Sequence, residues 1–81
     1  MFNNKVLVNL YIISLGKKCE VYFPVNEKVG TISKLINTTL FDAIDFERNS
    51  VFLNEDTGMI YENNVLVRNT DIKNGTNLLL I

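Results

Sequence analysis

Between Val29 and Leu40 the apolar residues Val29, Ile32, Leu35, Ile36 and Leu40 recur at helical spacing, with Ser33, Lys34, Asn37 and Thr38 on the opposite side. The other patterned stretches of the chain read as strands and turns. A lone amphipathic helix has no second helix on which to bury its stripe, so it must lie on the inner face of a sheet. That requirement selects a two-layer α+β architecture before any motif is considered.

The strands are read from alternation. Lys5 to Ile13 is rich in β-branched and aromatic residues and forms the first strand. Gly16-Lys17-Lys18 breaks the run, and Cys19 to Val25 resumes it with Cys19, Val21, Phe23 and Val25 on one face, completing a hairpin. Pro24 has no amide donor, which places the second strand at the edge of the sheet. Phe41 to Asn49 reads as a loop with a short helical turn begun by Asp42. Ser50 to Asn54 is a third strand, Met59 to Tyr61 a short fourth and Thr76 to Ile81 the fifth, launched by Asn74-Gly75, a pair suited to positive φ. A hairpin, a helix and a return strand are satisfied by a mixed sheet of four to five strands with the first and last parallel at its centre, the β-grasp arrangement. The expected core is Val6, Val8, Leu10, Val21, Phe23, Ile32, Leu35, Ile36, Leu66, Ile72, Leu78 and Leu80.

At 81 residues the chain has room for one core, so residues 1–81 are read as a single domain. Eight basic and nine acidic residues, for a net charge of −1, offer no electrostatic footprint for nucleic acid. No stretch approaches a membrane span, and the Met1 to Asn4 start has none of the features of a signal peptide, so a cytoplasmic protein without direct membrane insertion is expected.

The chain offers little to catalysis. It has no histidine, the commonest general base and zinc ligand. Asp42, Asp45 and Glu47 cluster without the alternation, central Gly or closing Glu of a calcium loop, and read as a solvated segment. The four glycines are separate and form no phosphate cradle. Cys19, the only cysteine, is read as a small inward-facing hydrophobe. No catalytic residue, metal ligand or cofactor is expected.

The C-terminal half is the most distinctive part of the chain. Val51 to Tyr61, then Asn64-Val65-Leu66, then Ile72-Lys73-Asn74-Gly75-Thr76-Asn77-Leu78-Leu79-Leu80-Ile81, together with Pro24 and Val29 before the helix, resembles the small bacterial ubiquitin-like proteins of the YukD and EsaB type. The resemblance implies a ubiquitin-like β-grasp fold and an accessory or regulatory role in the type VII (WXG100) secretion systems of Gram-positive bacteria. The partner it implies is a cytoplasmic domain of a secretion-system membrane component. Ubiquitin itself ends in a flexible Gly-Gly tail, whereas here Ile81 lies in the last strand, so conjugation is not expected. A carrier modified at its C-terminus and a self-associating structural module are the alternative readings.

Alternation also defines a candidate binding face. With Val6, Val8, Leu10, Val51, Leu53, Leu78 and Leu80 inward, Leu7, Tyr11, Phe52 and Leu79 point outward and converge across neighbouring strands. An apolar, aromatic patch of that kind marks an interface, either with a protein partner or with a second copy of the chain.

Overall fold

The computed structural model of the protein describes residues 4–40 and 50–81; the expected loop at 41–49, with its acidic group, lies outside the described residues. Strand β1, Lys5–Ile12, turns through a 3-10 segment at Ile13–Leu15 into β2, Lys17–Pro24. Helix α1 spans Val29–Leu40 and is followed by β3, Phe52–Asn54, a 3-10 turn at Val67–Asn69 and β4, Asn77–Leu80. The sheet order is β2-β1-β4-β3, with β1 antiparallel to β2, parallel to β4, and β4 antiparallel to β3. This is the mixed four-stranded sheet on one helix expected of a ubiquitin-like β-grasp fold. Pro24 lies on an edge strand, as its missing donor requires.

The parallel centre depends on the turn before β4. Gly75 adopts φ +87 and donates its N–H to the Leu7 carbonyl at 2.8 Å, while the Asn74 side-chain carbonyl accepts the Leu7 N–H at 2.8 Å. Both backbone groups of Leu7 on its β4 side are thereby satisfied one step before the ladder of Asn9 with Asn77 begins.

The core lies between the sheet and α1 and consists of Val8, Leu10, Ile12, Phe23, Val29, Ile32, Phe52, Tyr61, Val67, Ile72, Leu78 and Leu80. Val6, Val21 and Ile36 pack against it from partly buried positions. Several expectations are corrected. Leu35 is 64% exposed, because the inward arc of α1 takes in Ser33, whose hydroxyl donates to the Ser50 carbonyl at 3.0 Å. Rotating the stripe toward Ser33 turns Leu35 out. Leu66 is half-buried and its neighbour Val67 takes the core position. Cys19 is exposed, since burial along the helix-facing side of β2 deepens only toward Val21 and Phe23. Met59 to Tyr61 forms no strand, only a single bridge between Ile60 and Leu53.

The largest correction concerns β3. Phe52 is fully buried and Asn54 is 5% exposed, whereas Val51 and Leu53 are half-buried, so the inward and outward sets are exchanged. A polar Asn54 is stable inside because both its side-chain polar atoms have partners. Its side-chain N–H donates to the Tyr61 hydroxyl at 3.0 Å, and its carbonyl accepts the N–H groups of Asp56 and Thr57 at 2.9 and 3.1 Å.

Candidate functional site: the outer face of the sheet

Cross-strand register decides which side chains share the outer face, because paired residues in neighbouring strands project to the same side. Tyr11 of β1 pairs with Leu79 of β4, Leu79 with Leu53 of β3, and Leu53 is bridged to Ile60. These four residues form one row across three strands and the bridge beyond them. Tyr11, Leu79 and Leu53 are half-buried and Ile60 is 57% exposed. Ile81 continues the outward set of β4 beyond Leu79 and is exposed, its N–H and C=O both bonded to Val51 at 3.1 Å.

Of the four residues singled out from sequence, Tyr11 and Leu79 are brought together as register neighbours. Phe52 is removed from the face by the exchanged phase of β3, and Leu53 takes its place. Leu7 is on the same face but is separated from Tyr11 by a polar row. In that row Asn9, which pairs with Glu20 and Asn77, donates from its side chain to the Asn77 side-chain carbonyl at 3.1 Å; Asn77 in turn donates to Asp56 at 3.3 Å. Leu7 pairs instead with Tyr22, over whose ring the Lys5 ammonium sits 4.6 Å from the centroid. The outer face is thus divided into an apolar end and a polar band. At the apolar end the Lys18 ammonium lies 5.6 Å from the centre of the Tyr11 ring, a cation–π contact at the border of the row.

Ile60 falls in the short strand expected from sequence, but that reading does not assign it to the outer face. Its bridge to Leu53 carries an apolar side chain there, and a single bridged pair offers no alternation from which to fix its side. The neighbouring Tyr61 turns inward, and its hydroxyl donates to Asp71 while accepting from Asn54. Burial, reinforced by the bond to Asp71, raises its pKa above the usual phenol value. Among the described residues no group of three His, Cys, Asp or Glu side chains is arranged to hold a metal ion. None of the described helices is long and apolar enough to cross a membrane.

No protein-family model matches the chain, and no curated protein matches it significantly. Solved structures do match it in fold. A chain from a structure on molecular mimicry of SUMO in DNA repair superposes with a TM-score of 0.79 at 17% identity, covering 100% of this chain and 95% of that one. The ubiquitin-like domain of an Arabidopsis thaliana protein matches with a TM-score of 0.72 at 14% identity, over 98% of this chain and 78% of that one. A chain of an ESX-5 inner membrane complex matches with a TM-score of 0.68 at 17% identity over 98% of this chain. The present chain spans 21% of that chain's length. At such identities the likeness is one of fold, the ubiquitin-like β-grasp.

Proposed function

We propose that this protein is a non-catalytic, non-conjugated ubiquitin-like adaptor that works in the cytoplasm, binding a cytoplasmic part of a type VII (WXG100) secretion system through the outer face of its sheet. The observation that carries the binding face is the in-register row Tyr11, Leu79, Leu53 and Ile60, an apolar strip left to water at one end of the sheet. Fully burying an exposed side chain of this kind contributes about 1.5 to 3 kcal/mol, and the half-buried members of the row contribute less, which together suits a modest interface once the entropy of association is offset. The pathway is supported by the resemblance of the C-terminal half to the YukD and EsaB type. It is supported also by the fold shared with one part of a chain in an ESX-5 inner membrane complex.

The test is co-purification of tagged wild type and a Leu53→Asp variant from the native host, with recovered proteins identified by mass spectrometry. A secretion-system membrane component recovered with the wild type and lost with Leu53→Asp is the expected result. Recovery by both proteins equally removes the outer face from the proposal, and recovery of no such component by the wild type removes the pathway.

A further inference from the structure

Asparagine is a chemically labile residue, and of the chain's twelve asparagines Asn74 is the one followed by glycine. The chemistry of such a pair is intramolecular. The backbone nitrogen of the glycine loses its proton and attacks the side-chain Cγ of the asparagine, the amide nitrogen leaves as ammonia, and a succinimide ring closes. Water then opens the ring at one of its two carbonyls. Attack at Cγ gives aspartate, whereas attack at the main-chain carbonyl gives isoaspartate, whose backbone runs through Cβ and Cγ and is one methylene longer. Glycine has no Cβ to obstruct the cyclisation, so Asn74-Gly75 is the pair of this chain on which it meets least hindrance.

In the folded protein both reacting groups are bonded to the same residue of β1. The Gly75 N–H donates to the Leu7 carbonyl at 2.8 Å, and the Asn74 side-chain carbonyl accepts the Leu7 N–H at 2.8 Å. The turn is also closed on itself: Thr76 N–H donates to the Lys73 carbonyl at 3.1 Å, and Lys73 N–H to the Thr76 hydroxyl at 2.9 Å. The nitrogen that must lose its proton holds that proton against Leu7, and the group it must attack is fixed by the other backbone group of Leu7. Burial plays no part. Asn74 and Gly75 are exposed, and a Cβ added at Gly75 would meet nothing within 4 Å, so water and hydroxide reach the pair. The hydrogen bonds to Leu7 are what holds the reaction back.

We infer that Asn74 is a modification site gated by the fold, converted to aspartate or isoaspartate when β1 and the turn before β4 separate. The two products differ in consequence. Aspartate keeps an oxygen where the amide carbonyl was, accepts the Leu7 N–H and lets the junction close. Isoaspartate lengthens the main chain between positions 74 and 75, so the side group and the Gly75 N–H no longer meet Leu7 together. The parallel pairing of Asn9 with Asn77 begins just beyond that point, so the isoaspartate chain closes its central strands poorly. Each opening admits a one-way step, and the chain thereby records the time it has spent open. The inference rests on main-chain contacts of Leu7 and uses no residue of the apolar row.

Incubating the full-length protein at mildly alkaline pH, with and without guanidinium chloride at an unfolding concentration, tests the site. Conversion at Asn74 is read by peptide mapping with mass spectrometry, and isoaspartate by labelling with an isoaspartyl methyltransferase. Hydrogen exchange of the Gly75 amide, which passes through the same nitrogen anion, is followed in parallel by NMR. Conversion should be at least about tenfold slower in the folded chain than in denaturant, as expected of a reaction that awaits opening, and Gly75 exchange should be slowed to the same degree. Equal conversion rates in the two states overturn the inference, as does folded-state conversion that is slowed less than Gly75 exchange. Returned to native buffer, the isoaspartate form should lack the amide protection at Leu7 and Gly75 that the aspartate form and an Asn74→Asp variant regain. Wild-type protection of both amides in the isoaspartate form overturns the effect on the junction.

Discussion

The rings of Phe23 and Phe52 meet inside the protein with centroids 5.1 Å apart and planes inclined at 59°. They belong to the two outermost strands, β2 and β3, so one aromatic contact under α1 ties together the ends of the sheet. Tilted pairs of this kind add to the gain from burying the rings.

Phe52→Ala should therefore cost about 3 to 5 kcal/mol in urea denaturation, the range for emptying a buried aromatic site. Leu53→Ala, on the other face of the same strand, should cost clearly less. Equal losses, or a larger loss for Leu53, would contradict the phase of β3.

On α1 the contrast is between Ile32, 5% exposed, and Leu35, 64% exposed. Ile32→Ala should lower stability by about 2 to 5 kcal/mol, whereas Leu35→Ala should stay within about 0.5 kcal/mol of wild type, as exposed sites do. Thermal melts of the two variants, read by circular dichroism, separate the cases.

Two glycines are required for different reasons. A Cβ on Gly30 would meet the Asn63 Cβ at 2.6 Å and its carbonyl oxygen at 2.8 Å, where backbone cannot retreat without breaking the helix-to-turn contact. Gly30→Ala should thus destabilise by about 1 to 3 kcal/mol in spite of the better helix propensity of alanine. At Gly75 a Cβ has open space and the obstacle is φ +87. Gly75→Val should also lose stability, and Gly75→Asn should lose less, because Asn tolerates the left-handed region. Comparable losses for Val and Asn would place the cost elsewhere.

Alkaline pH should act through Tyr61. Its folded pKa is raised, chiefly by burial and then by the bond to Asp71, so the native state holds the phenol proton more tightly than the unfolded chain. The associated stability is fully present below the ordinary phenol value of about 10 and is lost as pH rises through the folded value. Tyr61→Phe should be less stable at pH 7, because the buried Asn54 side-chain N–H loses the hydroxyl that accepts it and Asp71 loses its donor, but its melting temperature should fall less steeply above pH 10. Parallel curves for the two proteins would exclude Tyr61 as the titrating group.

The hairpin, the helix, the third and last strands, their order and the parallel pairing of first and last strands were legible in the chain, because period-two alternation, a single helical stripe, an edge proline and Asn74-Gly75 are local properties. Half of the outer face was legible too, since Asn9 marks the polar side of β1 and Asn77 that of β4, which puts Tyr11 and Leu79 on one face. The phase of β3 was not. Val51-Phe52-Leu53-Asn54 admits two alternations, and the one that hides Asn54 is stable only once Tyr61 and the N–H groups of Asp56 and Thr57 surround it. The orientation of α1 was decided in the same way, by a Ser50 carbonyl 17 residues away that makes an inward Ser33 acceptable and sends Leu35 outward. Local pattern can state which residues are apolar; whether a polar residue is welcome inside depends on partners that only the folded chain brings within hydrogen-bond reach.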